Sequence, residues 1–282
     1  MKNGLITLEY VNTVIKRRNR NIHKGDCGRI LLIAGSLGMA GAAVLCGRGA
    51  LRSGAGLVQI AALEEIFPII QVGVPEATCV SRESLNLDKP RYDAIGAGPG
   101  LGEESKNGNL IGKILQNYEG TFVLDADGLN QIALNHMQSD LRKSLCKVII
   151  TPHTGEAARL LGIDIAEAKA MDRGELSSCL VEKTNAVVVL KGEGTIVATP
   201  EGNSYTNTTG NPGMATGGAG DVLTGIITSL SGQGLLPEDA AKAGVYLHGL
   251  AGDLGAHHFG EFGLIAGDIA EMTALAIKKT LG

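Results

Sequence analysis

The sequence predicts an α/β domain with a mostly parallel central sheet flanked by helices on both faces. Three observations lead there. Short continuous apolar runs recur along the 282-residue chain, as in strands covered on both sides, and longer segments of helical period fall between them. The alternation runs throughout, with no internal repeat, low-complexity segment or linker, so a single domain over residues 1–282 is the economical reading. Glycine is abundant, 41 residues outside any repeat, which suits tight turns and close approach of backbone to a ligand.

The elements follow in order. "RILLIAG" (29–35) reads as a buried strand, and "AGAAVLCGRGALRSG" (40–54) as a small-residue helix packed closely on it. "GLVQIAAL" (56–63), "EATCVS" (76–81), "YDAIGAG" (92–98), "TFVLDAD" (121–127), "KVIITP" (147–152) and "AVVVLKG" (186–192) are further strands. Helical stretches lie between several of them, around 103–117, 128–137 and 155–183. "TIVATPEGNSYTN" (195–207) carries a turn at Pro200–Gly202 between two short strands, which makes a hairpin. Helices at 221–231, 237–257 and 266–280 close the chain. In such sheets ligands sit beyond the carboxyl ends of the strands, so the loops that follow strands matter most.

Bulk properties exclude several classes. A formal net charge of -4 argues against general nucleic-acid binding, which needs a dense cationic face. The five cysteines are odd in number and widely spaced with no CxxC, which argues against a disulfide framework or zinc site and fits a reducing compartment. The N-terminal stretch has no apolar h-region or small-residue cleavage site, and no apolar run reaches membrane-spanning length. A cytoplasmic protein with no membrane partner is expected. "KRRNR" (16–20) reads as a solvated charged face, and "HHFGE" (257–261) lacks the further ligands a zinc site needs.

The stretch "NTTGNPGMATGGAGDVLTGIITSL" (207–230) passes from glycine-broken loop to a segment of helical period. Val222, Leu223, Ile226, Ile227 and Leu230 share one face, so a helix begins near Asp221. First-turn amides lack intrahelical partners and the helix dipole favours negative charge there. Gly217, Gly218, Ala219 and Gly220 let a ligand approach them, which makes an anion cradle suited to phosphate. Asp221 is either an N-cap or first-turn acid of the helix, or a base that takes a proton from an attacking hydroxyl.

Other loops carry alternatives. No Gly-Lys-Ser or Gly-Lys-Thr occurs, so a P-loop is excluded. "GAGPGLG" (96–102) departs from GxGxxG at Leu101 and is either a glycine loop approaching a ligand or a plain turn. "GSLGMAGAA" (35–43) either admits a ligand at a helix start or serves close helix–sheet packing. In "TPHTGEAARLL" (151–161), Thr154 is the expected N-cap, and His153 and Glu156 at the strand end could touch a metal–phosphate group. Lys191 ends a strand and either pairs with phosphate or is solvated. Asp125 and Asp127 could position Mg²⁺ through water or cap the following helix.

Together these pieces resemble one family. "GGAGDVL" at a helix N-terminus looks like the anion hole and catalytic aspartate of the ribokinase-like superfamily. Within it, "KGDCGRILLIAGS", "GAGPGLG", "VLDADGLN", "TPHTGE", "VLKGEGTIV" and "NPGMATGGAGDVL" are similar to the ADP-dependent NAD(P)H-hydrate dehydratases, in the same order and over roughly residues 15–280. The resemblance implies a ribokinase-like fold and a repair activity. The (6S) hydrate of NADH or NADPH is phosphorylated on its ring hydroxyl by ADP and then loses phosphate, giving the intact cofactor and AMP. It implies Asp221 as base and the amides of Gly218, Ala219 and Gly220 as the hole for the transferring phosphate. It implies Lys191, Gly192, Glu193, Gly194 and Thr195, with Gly220, as nucleotide contacts, and Ala40, Gly102 and His153, with Asp221, as the hydrated-cofactor pocket. Glu156 looks like the acid of the superfamily's Asn-x-x-Glu magnesium motif, acting through water, with His153 standing where sugar kinases have Asn. Mg²⁺ as cofactor, a homotetramer, no fused epimerase domain, and functional partnership with a separate NAD(P)H-hydrate epimerase are further expectations. A related kinase acting on a vitamin-precursor alcohol would share the same hole and base.

Overall fold

The computed structural model describes residues 3–87 and 92–282. Ten strands form one sheet: β1 (Asn3–Ile6), β2 (Arg29–Ile33), β3 (Leu57–Ala62), β4 (Thr78–Ser81), β5 (Ala94–Ala97), β6 (Thr121–Leu124), β7 (Lys147–Ile150), β8 (Val187–Leu190), β9 (Ile196–Ala198) and β10 (Ser204–Asn207). Their order is β1-β10-β9-β8-β7-β6-β5-β2-β3-β4. Among the described residues β9 alone runs against its neighbours β8 and β10, so the expected hairpin and the mostly parallel sheet are both present. Among the described residues twelve α-helices surround it: α1 (Leu8–Val14), α2 (Ala40–Arg52), α3 (Phe67–Gly73), α4 (Ser105–Asn117), α5 (Ala126–Leu134), α6 (Gln138–Lys143), α7 (Thr154–Leu161), α8 (Ile165–Ala170), α9 (Arg173–Thr184), α10 (Ala219–Gly232), α11 (Pro237–Phe259) and α12 (Ala266–Leu281).

Strand β6 explains the continuous apolar runs. Phe122 and Leu124 point into the layer built with α4, α5, α7 and α9, whereas Val123 points into the layer of α10, α11 and α12. Both faces are covered, so every position is apolar, and each such side chain contributes about 1.5–3 kcal/mol relative to exposure. A further cluster joins β2 and β3 to α2 and α3.

Three features differ from the sequence expectation. The single helical stretch at 155–183 is three helices. Gly162 closes α7 in the left-handed region at φ 75, and the side chains of Asp164 and Asp172 cap the starts of α8 and α9. The terminal pair β1 and α1 was not foreseen, because "NGLI" buries only Ile6 and so shows no apolar run. α3 and α6 are short and were also missed.

Helix α10 lies at the centre of its layer, with backbone against backbone. A Cβ on Gly225 would stand 2.0 Å from Cys46 O of α2, and one on Gly49 of α2 would stand 2.5 Å from Val222 O. No side chain fits in that seam. Gly225→Ala should therefore destabilise the fold by about 1–3 kcal/mol or more, as overpacking does. Gly41→Ala, also in α2 but with nothing within 4 Å of the added methyl, should be neutral or mildly stabilising. Chemical denaturation of the two variants beside the parent checks both.

Candidate active site

The residues that follow β6 and β8 meet the first turn of α10, with Lys191 Nζ and Asp125 Oδ2 at 3.5 and 3.6 Å from where a Cβ on Gly220 would be. Gly218 is the N-cap at φ 91, a left-handed conformation that glycine adopts without strain. No side chain caps this end. The helix starts at Ala219, two residues earlier than the sequence pattern indicates, which puts Asp221 in the first turn rather than at the cap. Ala219 N–H reaches back to Thr216 O at 3.4 Å, whereas Gly218 and Gly220 N–H have no acceptor among the described residues. Two of the three expected cradle amides are thus open. Below them, buried His248 of α11 places Nε2 2.9 Å from Ala219 O. Burial holds its pKa down to about 4, so the ring is neutral and donates there.

Asp221 is partly buried beside these amides, and its carboxylate lies on the Gly218 side, 3.7 Å from where a Cβ on that residue would be. Its pKa is pushed up to about 7, first by burial and then by the charge of Asp125, with smaller contributions from Asp127 and Glu156 and an opposing one from Lys191.

Asp125, 1% exposed, follows β6 and is fully engaged. Lys191 Nζ donates to its Oδ1 at 2.5 Å and Thr224 Oγ1 to its Oδ2 at 2.7 Å. It occupies the N-cap position of α5 but its side chain caps nothing. Asp127 accepts from Gly102 N at 2.8 Å. Asp125 is thus committed to Lys191 and Thr224, and Asp127 to Gly102. Lys191 is not solvated. Burial alone would lower its pKa, but the carboxylates of Asp125 and Glu156 outweigh that and raise it.

At the end of β7 the N-cap of α7 is His153, not Thr154. Its Nδ1 accepts from Gly155 N at 2.9 Å and Glu156 N at 3.3 Å, while Glu156 Oε2 accepts from His153 N at 2.8 Å. This is a reciprocal capping box built on histidine. Because Nδ1 accepts, the ring proton sits on Nε2, 3.4 Å from Glu156 Oε1.

Gly192, Glu193, Gly194 and Thr195 turn outward after β8, closed by Thr195 Oγ1 on Gly192 O at 3.0 Å. Ala40 opens α2, and Gly102 lies on the loop after β5; Gly35 N donates to Pro99 O at 2.8 Å, which seats the two loops on one rim. The glycines of "GAGPGLG" make a turn, with Gly98 packed so closely on Asp125 O that a Cβ would stand 1.8 Å away; α4 starts only at Ser105, so the stretch does not open a helix as a dinucleotide fingerprint does.

The model of the NAD(P)H-hydrate dehydratase family matches residues 30–274. The chain belongs to that family. It is 38% identical to a bifunctional NAD(P)H-hydrate repair enzyme Nnr of Moorella thermoacetica, over 98% of this chain and 54% of that one. The chain therefore spans about half the length of the bifunctional relatives it matches. It is 39% identical to an ADP-dependent (S)-NAD(P)H-hydrate dehydratase of Neisseria meningitidis, covering 91% of this chain and 87% of the relative. Superposition on the ADP/ATP-dependent NAD(P)H-hydrate dehydratase of Bacillus subtilis, co-crystallized with ATP/Mg2+, gives a TM-score of 0.88 at 32% identity over 98% of each chain. The fold is ribokinase-like, as the resemblance implied.

In this dehydratase-family chain the motif residues come together at one end of the sheet, but three others at the site had no sequence signal. Thr224 reads as one more inward position of α10. His248 sits within a helix that is small-residue and buried for most of its length. Arg173 opens α9, far from the loop it holds, and donates through Nη2 to Leu190 O at 3.0 Å. Among the described residues no helix is long and apolar enough to cross a membrane.

Proposed function

We propose that this chain dehydrates the (6S) hydrate of NADH or NADPH, using ADP and releasing AMP and phosphate. The observation that carries the reading is a carboxylate of raised pKa, Asp221, set in the same helical turn as open backbone amides. The names of the Neisseria and Bacillus relatives support the substrate and nucleotide.

Hydroxide is a poor leaving group and phosphate a good one. Asp221 takes the proton of the ring hydroxyl, and that oxygen takes the β-phosphorus of ADP as its bond to the AMP oxygen breaks. The Gly218, Ala219 and Gly220 turn stabilises the negative oxygens of the group in flight. The ring nitrogen then pushes phosphate out, and the neighbouring ring carbon releases a proton to restore the dihydropyridine. The loop from Lys191 to Thr195 takes the nucleotide, and the rim formed by Ala40, Gly102 and His153 takes the hydrated ring.

Mg²⁺ fits as an ion carried by the nucleotide. Among the described residues no three His, Cys, Asp or Glu side chains form a ligating group. Glu156 would reach it through water from Oε1, because Oε2 is tied to His153 N. The ion would supply charge neutralisation on the phosphates. The separate epimerase expected as a functional partner belongs to the same reading.

Recovery of 340 nm absorbance from hydrated NADH with ADP and Mg²⁺ tests the proposal. Phosphorylation of a thiazole or pyrimidine alcohol without recovery would make the chain a kinase instead. In that assay Asp221→Asn should lose roughly 10²-fold or more in turnover while ADP still binds, since the general base is gone and the amides remain. The pH profile of kcat/KM should rise to a plateau with an apparent pKa near 7, because below it Asp221 keeps its proton and cannot accept another. A profile flat from pH 6 to 8 would remove Asp221 from the role.

A further inference from the structure

We propose that the Lys191 ammonium meets the transferring β-phosphoryl group rather than the adenosine half of the nucleotide, and that buried Asp125 is the residue that positions it. The inference rests on the phosphoryl-transfer reading above and assigns one residue of the nucleotide loop more narrowly.

The four residues after Lys191 turn outward, but its own side chain runs inward and is 20% exposed. Its ammonium is 2.5 Å from Asp125 Oδ1 and 3.6 Å from Glu156 Oε2. It stands 3.5 Å from where a Cβ on Gly220 would lie, in the first turn of α10. A side chain held there cannot also extend outward along the loop that follows it. A carboxylate that only neutralised the ammonium would need one oxygen. Asp125 uses its other oxygen on Thr224, whose hydroxyl also lies 3.1 Å from Gly220 O. One buried group thus fixes the cation and the cradle in a single frame. The surrounding acids, Asp127, Glu156 and Asp221, would repel an incoming phosphoryl group, and Lys191 is the cation placed to oppose them.

As the β-phosphorus leaves the AMP oxygen for the hydroxyl oxygen, and the hydroxyl proton passes to Asp221, the three equatorial oxygens keep their charge. An ammonium at the Gly220 side of the cradle donates to one of them throughout. AMP lacks that group, so the two nucleotides separate the roles.

The test is calorimetric titration of ADP and of AMP into the parent and Lys191→Met. The Kd for ADP should rise about tenfold or more, the size of one charge-assisted hydrogen bond, while that for AMP moves less than about threefold. Equal losses for ADP and AMP, or no loss for either, would overturn the proposal. Removing the ammonium alone leaves Asp125 and Glu156 uncompensated in the interior and can unfold the chain. The double variant Lys191→Met/Asp125→Asn removes the pair together and carries the same expectation. Asp125→Asn alone should weaken ADP selectively and to a smaller degree; a parallel loss of AMP would leave Asp125 no positioning role. A parent that binds ADP but restores no NADH would overturn the dehydratase reading, and the ADP-to-AMP ratio would still decide this one. A parent that binds no ADP would overturn both.

Discussion

Contact between the backbones of α2 and α10, with no side chain between them, fixes where the anion cradle sits. Gly225 lies on Cys46 O and Gly49 on Val222 O. Farther along, Gly232 packs on Ile30 and Thr228 on Gly96, so α10 is also held against β2 and β5. A helix located along its whole length by close packing has little freedom to tilt. Its first turn is therefore delivered to the carboxyl ends of the strands in a set orientation. On the proposed reading the donors of the cradle then need no reorganisation as charge develops.

That position forces several charges into a small volume. Asp125, Glu156 and Asp221 surround the Lys191 ammonium and Asp127 acts on Asp221, and what distinguishes the four is how their oxygens are satisfied. Asp125 is bonded on both oxygens, to Lys191 and Thr224. Asp127 accepts from Gly102 and Asn130, and Glu156 from the backbone of its own cap. Asp221 has no such partner among the described residues, so burial and its neighbours' charge act on it without compensation. The environment sorts four similar carboxylates into three that hold structure and one able to accept a proton near neutrality.

Much of this was legible in the sequence, for identifiable reasons. Strands covered on both faces leave uninterrupted apolar runs, so β2, β3, β5, β6, β7 and β8 were visible. The glycines before Asp221 were visible because no side chain can intervene at an open helix start. What remained hidden depends on partners distant in sequence or on side-chain direction. Spacing cannot reveal that Lys191 turns inward toward Asp125, since an exposed lysine would occupy the same strand end. Histidine is an uncommon N-cap, so the capping box of His153 and Glu156 read as Thr154 capping. The stretch at 155–183 kept a helical period across breaks set by one glycine and two aspartates.

On the proposed reading, the His153 capping box also bears on how a kinase-like site yields a dehydration. It ties Glu156 Oε2 to a backbone amide and draws the imidazole Nε2 toward Oε1, so this acid is a less available inner-sphere ligand than a free carboxylate. Under the proposed function phosphoryl transfer is left to the helix turn, Asp221 and the nucleotide, which is the equipment of a kinase. On the proposed reading no further side chain is required for the elimination. An ordinary alcohol, once phosphorylated, has no lone pair placed to expel the group, and the reaction stops. A hydroxyl on the ring carbon bonded directly to the nitrogen does have one, and phosphate leaves. On the proposed reading, whether this site acts as kinase or lyase is decided by what the rim at Ala40, Gly102 and His153 admits.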